Sequence, residues 1–88
     1  MQKLEFIIQP FSLDNVKDSL TVIGITDIII SDVRVSGNWQ EDKENIFITD
    51  FMPKVKVEIV ENKEKITQAL YLIKQNNYTE KPPIVYTL

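Results

Sequence analysis

Hydrophobic and polar positions alternate from the start of the chain. In KLEFII, residues 3–8, Leu4, Phe6 and Ile8 share one side and Glu5 and Ile7 the other. That is the two-residue period of a strand. Pro10 lacks an N–H and ends the ladder. The period then lengthens. Leu13, Val16, Leu20 and Ile23 recur at helical spacing, with Ser12 as the expected N-cap and Asp14 in the first turn. Gly24 stands where a residue of positive φ would close this helix. Residues 25–35, ITDIIISDVRV, are rich in β-branched side chains and predict a long second strand. The polar stretch 36–45, SGNWQEDKEN, predicts a loop, and extended character resumes in IFITDF. From Pro53, Val55, Val57 and Ile59 alternate with Lys54, Lys56 and Glu58 in a third strand. Asn62 can cap a second helix, whose buried stripe is Ile66, Ala69, Leu70 and Ile73. Asn76-Asn77 ends it, Pro82-Pro83 forbids helix beyond, and IVYTL closes the chain as a short strand.

The order βαββαβ predicts one α+β domain over residues 1–88. It is a ferredoxin-like sandwich, a four-stranded antiparallel sheet with both helices on one face. The helix-free face would then show Glu5, Ile7, Lys54, Lys56, Glu58 and Val60. Water suits these charges but not Ile7 and Val60, whereas a subunit interface with internal charge pairing suits both. A solvated sheet with scattered apolar residues is the plainer alternative.

Composition narrows the chemistry. The chain has 88 residues, 43% hydrophobic and 26% charged, with no Cys and no His. Disulfides, thiolate nucleophiles, Cys-ligated zinc and an imidazole base are excluded. Two glycines cannot build a phosphate-cradling loop. A net charge of −3 argues against non-specific nucleic-acid binding. No apolar run spans a bilayer, and the first residues are too polar for a secretory signal, so a cytoplasmic protein is expected. Small domains bury a modest share of their surface, a first hint of association.

Four features invite a functional reading, each beside a structural one. The acidic run Glu41-Asp42-Lys43-Glu44 is a cation or partner site, or a solvated loop tip. Trp39, the sole tryptophan, is a contact residue or folds back on the domain. Lys54 and Lys56 bind an anion, or protect an exposed edge strand. Tyr71 and Tyr78, at the end of the second helix, read as packing residues. Nothing in the spacing of the carboxylates singles out a catalytic pair.

Two blocks resemble a known family. QPFSLDNVKDSLTVIGI, residues 9–25, is similar to the first-helix block of PII signal-transduction proteins, KPF-K-LD-VK-AL-IGI. DFMPKVKVEIV, residues 50–60, is similar to the strand after their T-loop, DFLPKVKIEIV. The resemblance implies a trimer with sheets facing inward and a non-enzymatic function without a prosthetic group. It implies an adenine nucleotide (ATP, ADP or AMP) in clefts between subunits. It also implies a T-loop, here about residues 36–49, that regulates a partner such as a membrane transporter or metabolic enzyme. Position by position, Ile7 and Val60 match apolar residues of the adenine cleft and Gly37 the glycine at the T-loop base. Lys54 matches the lysine of LPK, Glu58 the acid of KIE, and Lys81 stands for the lysine of the phosphate-binding B-loop, here about residues 77–83. Trp39, Gln40, Glu41, Asp42 and Glu44 fall in the partner-contact loop, with Gln40 at the glutamine near metal and 2-oxoglutarate.

The departures matter as much. The T-loop is shorter, with Ile46 and Phe47 where the family's modified tyrosine lies. The B-loop sequence TGxxGDGK is replaced by YTEKPPIVY, and with the sequence stopping at Leu88 the family's C-terminal arm with its paired arginines is not expected. Each charge-assisted bond lost is worth roughly 1.5–3 kcal/mol, so neither ATP binding of the usual strength nor 2-oxoglutarate sensing is expected, and a smaller or differently held ligand such as ADP or AMP fits. Two other readings stand beside this one: a ferredoxin-like trimer that binds a partner without a small ligand, and a small α/β-barrel enzyme.

Overall fold

The computed structural model describes residues 1–36 and 52–88. Strand β1 spans Gln2–Ile8, helix α1 Leu13–Val22, β2 Ile29–Val35, β3 Met52–Glu61, α2 Lys63–Gln75 and β4 Ile84–Thr87. The strands form one antiparallel sheet in the order β2-β3-β1-β4. This is the ferredoxin-like arrangement predicted by the element order. The alternation in β1 and β3 decides which side faces the helices. Leu4, Phe6 and Ile8 of β1 and Val55, Val57 and Ile59 of β3 are buried with Val16 and Leu20 of α1 and Ile66, Ala69 and Ile73 of α2. Leu13, Ile23 and Leu70 pack against that core from its margin.

Both helices end in the same way. Gly24, at φ +83°, lets its N–H reach the Thr21 carbonyl at 2.9 Å while Ile25 N–H reaches Leu20 at 2.9 Å. Asn77, at φ +53°, donates to Lys74 at 3.3 Å while Tyr78 N–H reaches Ile73 at 3.2 Å. These paired bonds are Schellman motifs, each with an apolar residue just past the turn packed on the helix it closes. Tyr78 also sets its hydroxyl 2.9 Å from Ser19 Oγ, tying the exit of α2 to α1. The Lys65 ammonium donates to the Ile23 carbonyl at the end of α1, a second tie between the helices.

Four sequence expectations change. The second strand begins at Ile29, not at residue 25, because Ile25 is the apolar residue of the first Schellman motif and is buried in the core. Ser12 makes no side-chain cap. Pro10, with φ preset for a helical turn, opens a 3-10 turn over Pro10–Ser12 that runs directly into α1, so Ser12 already has helical backbone angles. Asn62, by contrast, caps α2 as expected, its Oδ1 accepting from Lys65 N–H at 2.9 Å. Tyr71 is 66% exposed and is not a packing residue. Finally, β3 lies between β2 and β1, so Lys54 and Lys56 do not guard an edge. Residues 37–51, with the predicted polar loop and the extended stretch after it, lie outside the described residues.

Substituting Gly24→Ala places a side chain at a φ that L residues resist, at a cost of about 1–2 kcal/mol. The added Cβ would meet the Lys65 ammonium at 2.9 Å, a flexible neighbour that can yield. Urea denaturation is expected to show that loss with an unchanged slope. A variant as stable as the parent would contradict the role given to this turn.

Candidate functional site

The helix-free face of the sheet carries the candidate residues. Residues opposite one another on adjacent strands present their side chains on the same face. The register places Lys3, Glu5 and Ile7 of β1 opposite Val60, Glu58 and Lys56 of β3. Ile29 of β2 sits beside Glu58, and Ile84 and Tyr86 of β4 sit beside Glu5 and Lys3. Two carboxylates, Glu5 and Glu58, therefore face each other directly, which is unfavourable. The diagonal lysines resolve this. Lys3 Nζ lies 2.7 Å from Glu58 and 3.7 Å from Glu5, and Lys56 Nζ lies 3.1 Å from Glu5. Lys3 also rests over the Tyr86 ring, 5.4 Å from its centroid. The hydrogen bond from Lys3 holds the Glu58 carboxyl below its ordinary value, with Lys56 adding to the effect, and holds the Lys3 ammonium above its own.

Apolar side chains surround this charged ladder. Ile29, Val60, Ile84 and Tyr86 are all exposed in the single chain. Two hollows open at opposite edges of the face. One, of about 270 Å³, is lined by Asp27, Ile28, Ile29, Glu58 and Val60 on the β2 side. The other, of about 250 Å³, is lined by Glu5, Phe6, Ile7, Lys81, Pro82 and Ile84 on the β4 side.

Beside the second hollow lies Lys54. It is 3% exposed, and its ammonium lies 3.3 Å from Glu80 Oε1. A bridge between Ile8 and Thr79 brings the segment after α2 against the end of β1, which sets Glu80 beside Gln9. Gln9 Nε2 donates to the same Glu80 oxygen at 2.7 Å.

The structure thus divides the predicted nucleotide residues. Ile7, Lys54 and Lys81 gather at one end of the face, and Glu58 and Val60 at the other. Gly37, Trp39, Gln40, Glu41, Asp42 and Glu44 lie outside the described residues. Asp27, Ile29 and Ile84 join these hollows, and Glu80 joins Lys54, without having been singled out. The signal for Glu80 was present, since it follows Thr79 at the position where the PII pattern has glycine. Among the described residues no group of carboxylates is arranged to hold a metal ion.

The family model for nitrogen regulatory protein P-II matches residues 1–87. The chain belongs to the P-II family. It is 39% identical over 85 residues to the nitrogen regulatory protein P-II of Pasteurella multocida (strain Pm70), covering 92% of this chain and 76% of that protein. The Haemophilus influenzae protein of the same name is 38% identical with the same coverage. That of Azospirillum brasilense is 35% identical over 90% of this chain and 74% of its own length. P-II proteins are signalling proteins of nitrogen regulation rather than enzymes. The charge ladder and the two hollows are therefore features of a regulatory P-II chain.

The ladder has a defined pH window. A carboxyl held low in the folded state stabilises fully above its ordinary value of 4.5 and loses that contribution as pH falls through the lowered one. An ammonium held high stabilises fully below 10.5 and loses its contribution as pH rises through the raised value. Chemical denaturation of the parent and Glu58→Gln is expected to show a parent advantage at neutral pH that disappears in acid below pH 4.5. An advantage of constant size down to pH 2 would contradict the pairing.

Proposed function

We propose that this P-II chain is a cytoplasmic signalling subunit that assembles as a trimer through its helix-free sheet face. It takes an adenine nucleotide in the clefts between subunits and controls a partner protein, a transporter or metabolic enzyme, through the segment about residues 36–49. The observation that carries this reading is the division of the nucleotide candidates between two edges of one face. Ile7 and Val60 lie four register positions apart along β1, about 13 Å at strand rise. That is too far for one purine to touch both within one chain. In a closed ring, different edges of neighbouring copies meet. The hollow with Glu58 and Val60 on one chain is then completed by that with Ile7 and Lys81 on the next.

Each hollow offers aliphatic walls and few charged groups, the character of a site for a flat, largely apolar base. Among the described residues the positive groups near the second hollow are Lys54 and Lys81, and the PII resemblance assigns Gly37 to backbone contact with the ligand. With two lysines among the described residues near it, the cleft suits ADP or AMP better than ATP. A ligand favouring one arrangement of the partner-contact loop, with Trp39, Gln40, Glu41, Asp42 and Glu44, shifts its population by the difference in affinity, and the partner responds to that shift.

Calorimetric titration of the purified protein with ATP, ADP and AMP tests the ligand. Saturable binding of at least one, near one per chain and weakened by Val60→Glu, is expected. Absence of heat with all three would overturn the nucleotide reading and favour a module that binds only its partner.

A further inference from the structure

We propose that the Glu80 carboxylate is an internal anion, seated where a ligand's phosphate would meet Lys54, and that it sets the ligand preference of the cleft. This rests on the reading that Lys54 belongs to that cleft. A buried ammonium needs an anionic partner. Among the described residues, the hydrogen bond of Lys54 goes to Glu80 Oε1. The remaining space beside the pair is about 10 Å³, bounded by Ile7, Ile8, Gln9, Lys54, Tyr78 and Glu80. That is about the room one water needs, and a phosphate group does not fit. The anion position is therefore filled by the protein itself.

The contact is also built to be displaced. At 3.3 Å it is longer than the 2.7–2.9 Å of a strong charge-assisted bond. The same oxygen is shared with Gln9 at 2.7 Å. Glu80 is 38% exposed while Lys54 is 2% exposed, measured on the side chains, so the carboxylate can swing into water but the ammonium cannot. An incoming phosphate must eject Glu80 and then meets its repulsion. Its gain is only the difference between two anions on one lysine. A ligand with little charge leaves the pair in place and loses nothing. Polyphosphate nucleotides are penalised most, and the substitution of glutamate for a flexible glycine loop changes the preference rather than abolishing the site.

The test compares the parent, Glu80→Gln and Gln9→Ala by calorimetry with ATP, AMP and adenosine, and by melting temperature with inorganic pyrophosphate. Glu80→Gln is expected to tighten ATP about tenfold or more, AMP less and adenosine not at all. Pyrophosphate is expected to raise its melting temperature more than the parent's. Gln9→Ala, which loosens Glu80 without removing its charge, moves ATP affinity in the same direction by less, and decides the matter alone if Glu80→Gln does not fold. Selective stabilisation of Glu80→Gln by pyrophosphate with no nucleotide binding to any form would support the internal anion while rejecting the adenine ligand. Unchanged or weaker ATP binding in the variants, together with equal pyrophosphate shifts, would overturn the proposal even if nucleotides bind the parent.

Discussion

Four charges and their apolar neighbours on one sheet face constrain everything else in this protein. An antiparallel sheet with helices on one side must present its other side to something. Here Lys56, Glu5, Lys3 and Glu58 form one chain of alternating charges. Their mutual pairing means that covering the face would leave no charge without a counter-charge, the condition under which buried ions are tolerable. The aliphatic residues around them, Ile29, Val60 and Ile84, gain from being covered. The same face therefore offers paired charges to water in a single chain and is suited to contact with other copies. Neither an all-charged nor an all-apolar face would have both properties.

The two Schellman turns give that face its edges. Each turn closes a helix with a residue of positive φ and returns the chain toward the sheet behind an apolar residue packed on the core, Ile25 after α1 and Tyr78 after α2. After α1, the returning segment supplies Asp27, Ile28 and Ile29 to one hollow. After α2, it supplies Lys81, Pro82 and Ile84 to the other, and Glu80 to Lys54. The halves of the chain thus use one structural device to build two different surfaces. The first is acidic and aliphatic, with Asp27 and Glu58 beside Ile28, Ile29 and Val60; the second sets one acid, Glu5, and one lysine, Lys81, among apolar side chains.

Much of this was legible in the residues. The alternation in β1 and β3, the stripes of α1 and α2, Asn62 as a cap, and Gly24 and Asn77 as terminators all follow from local chemistry that tertiary packing reinforces. What was not legible depends on packing between distant segments. Ile25 has strand-like neighbours, and only its place past the α1 turn takes it into the core. Ser12 is an ideal cap by type but Pro10 starts the helical turn two residues earlier. Lys54 looks like its solvated neighbour Lys56. Its pairing with Glu80 follows from the bridge between Ile8 and Thr79, 71 residues apart by chain order, which no periodicity reports. The candidate residues were named as a set through the PII resemblance. Its division between two edges was legible only from the register.

The central claim is that the paired face is covered by other copies of the chain. Light scattering on the purified protein, coupled to size exclusion at micromolar concentration and neutral pH, measures this directly. The account predicts a species of three times the 10.2 kDa chain mass. A single species at 10.2 kDa would contradict it, because the two hollows would then belong to separate surfaces that never meet.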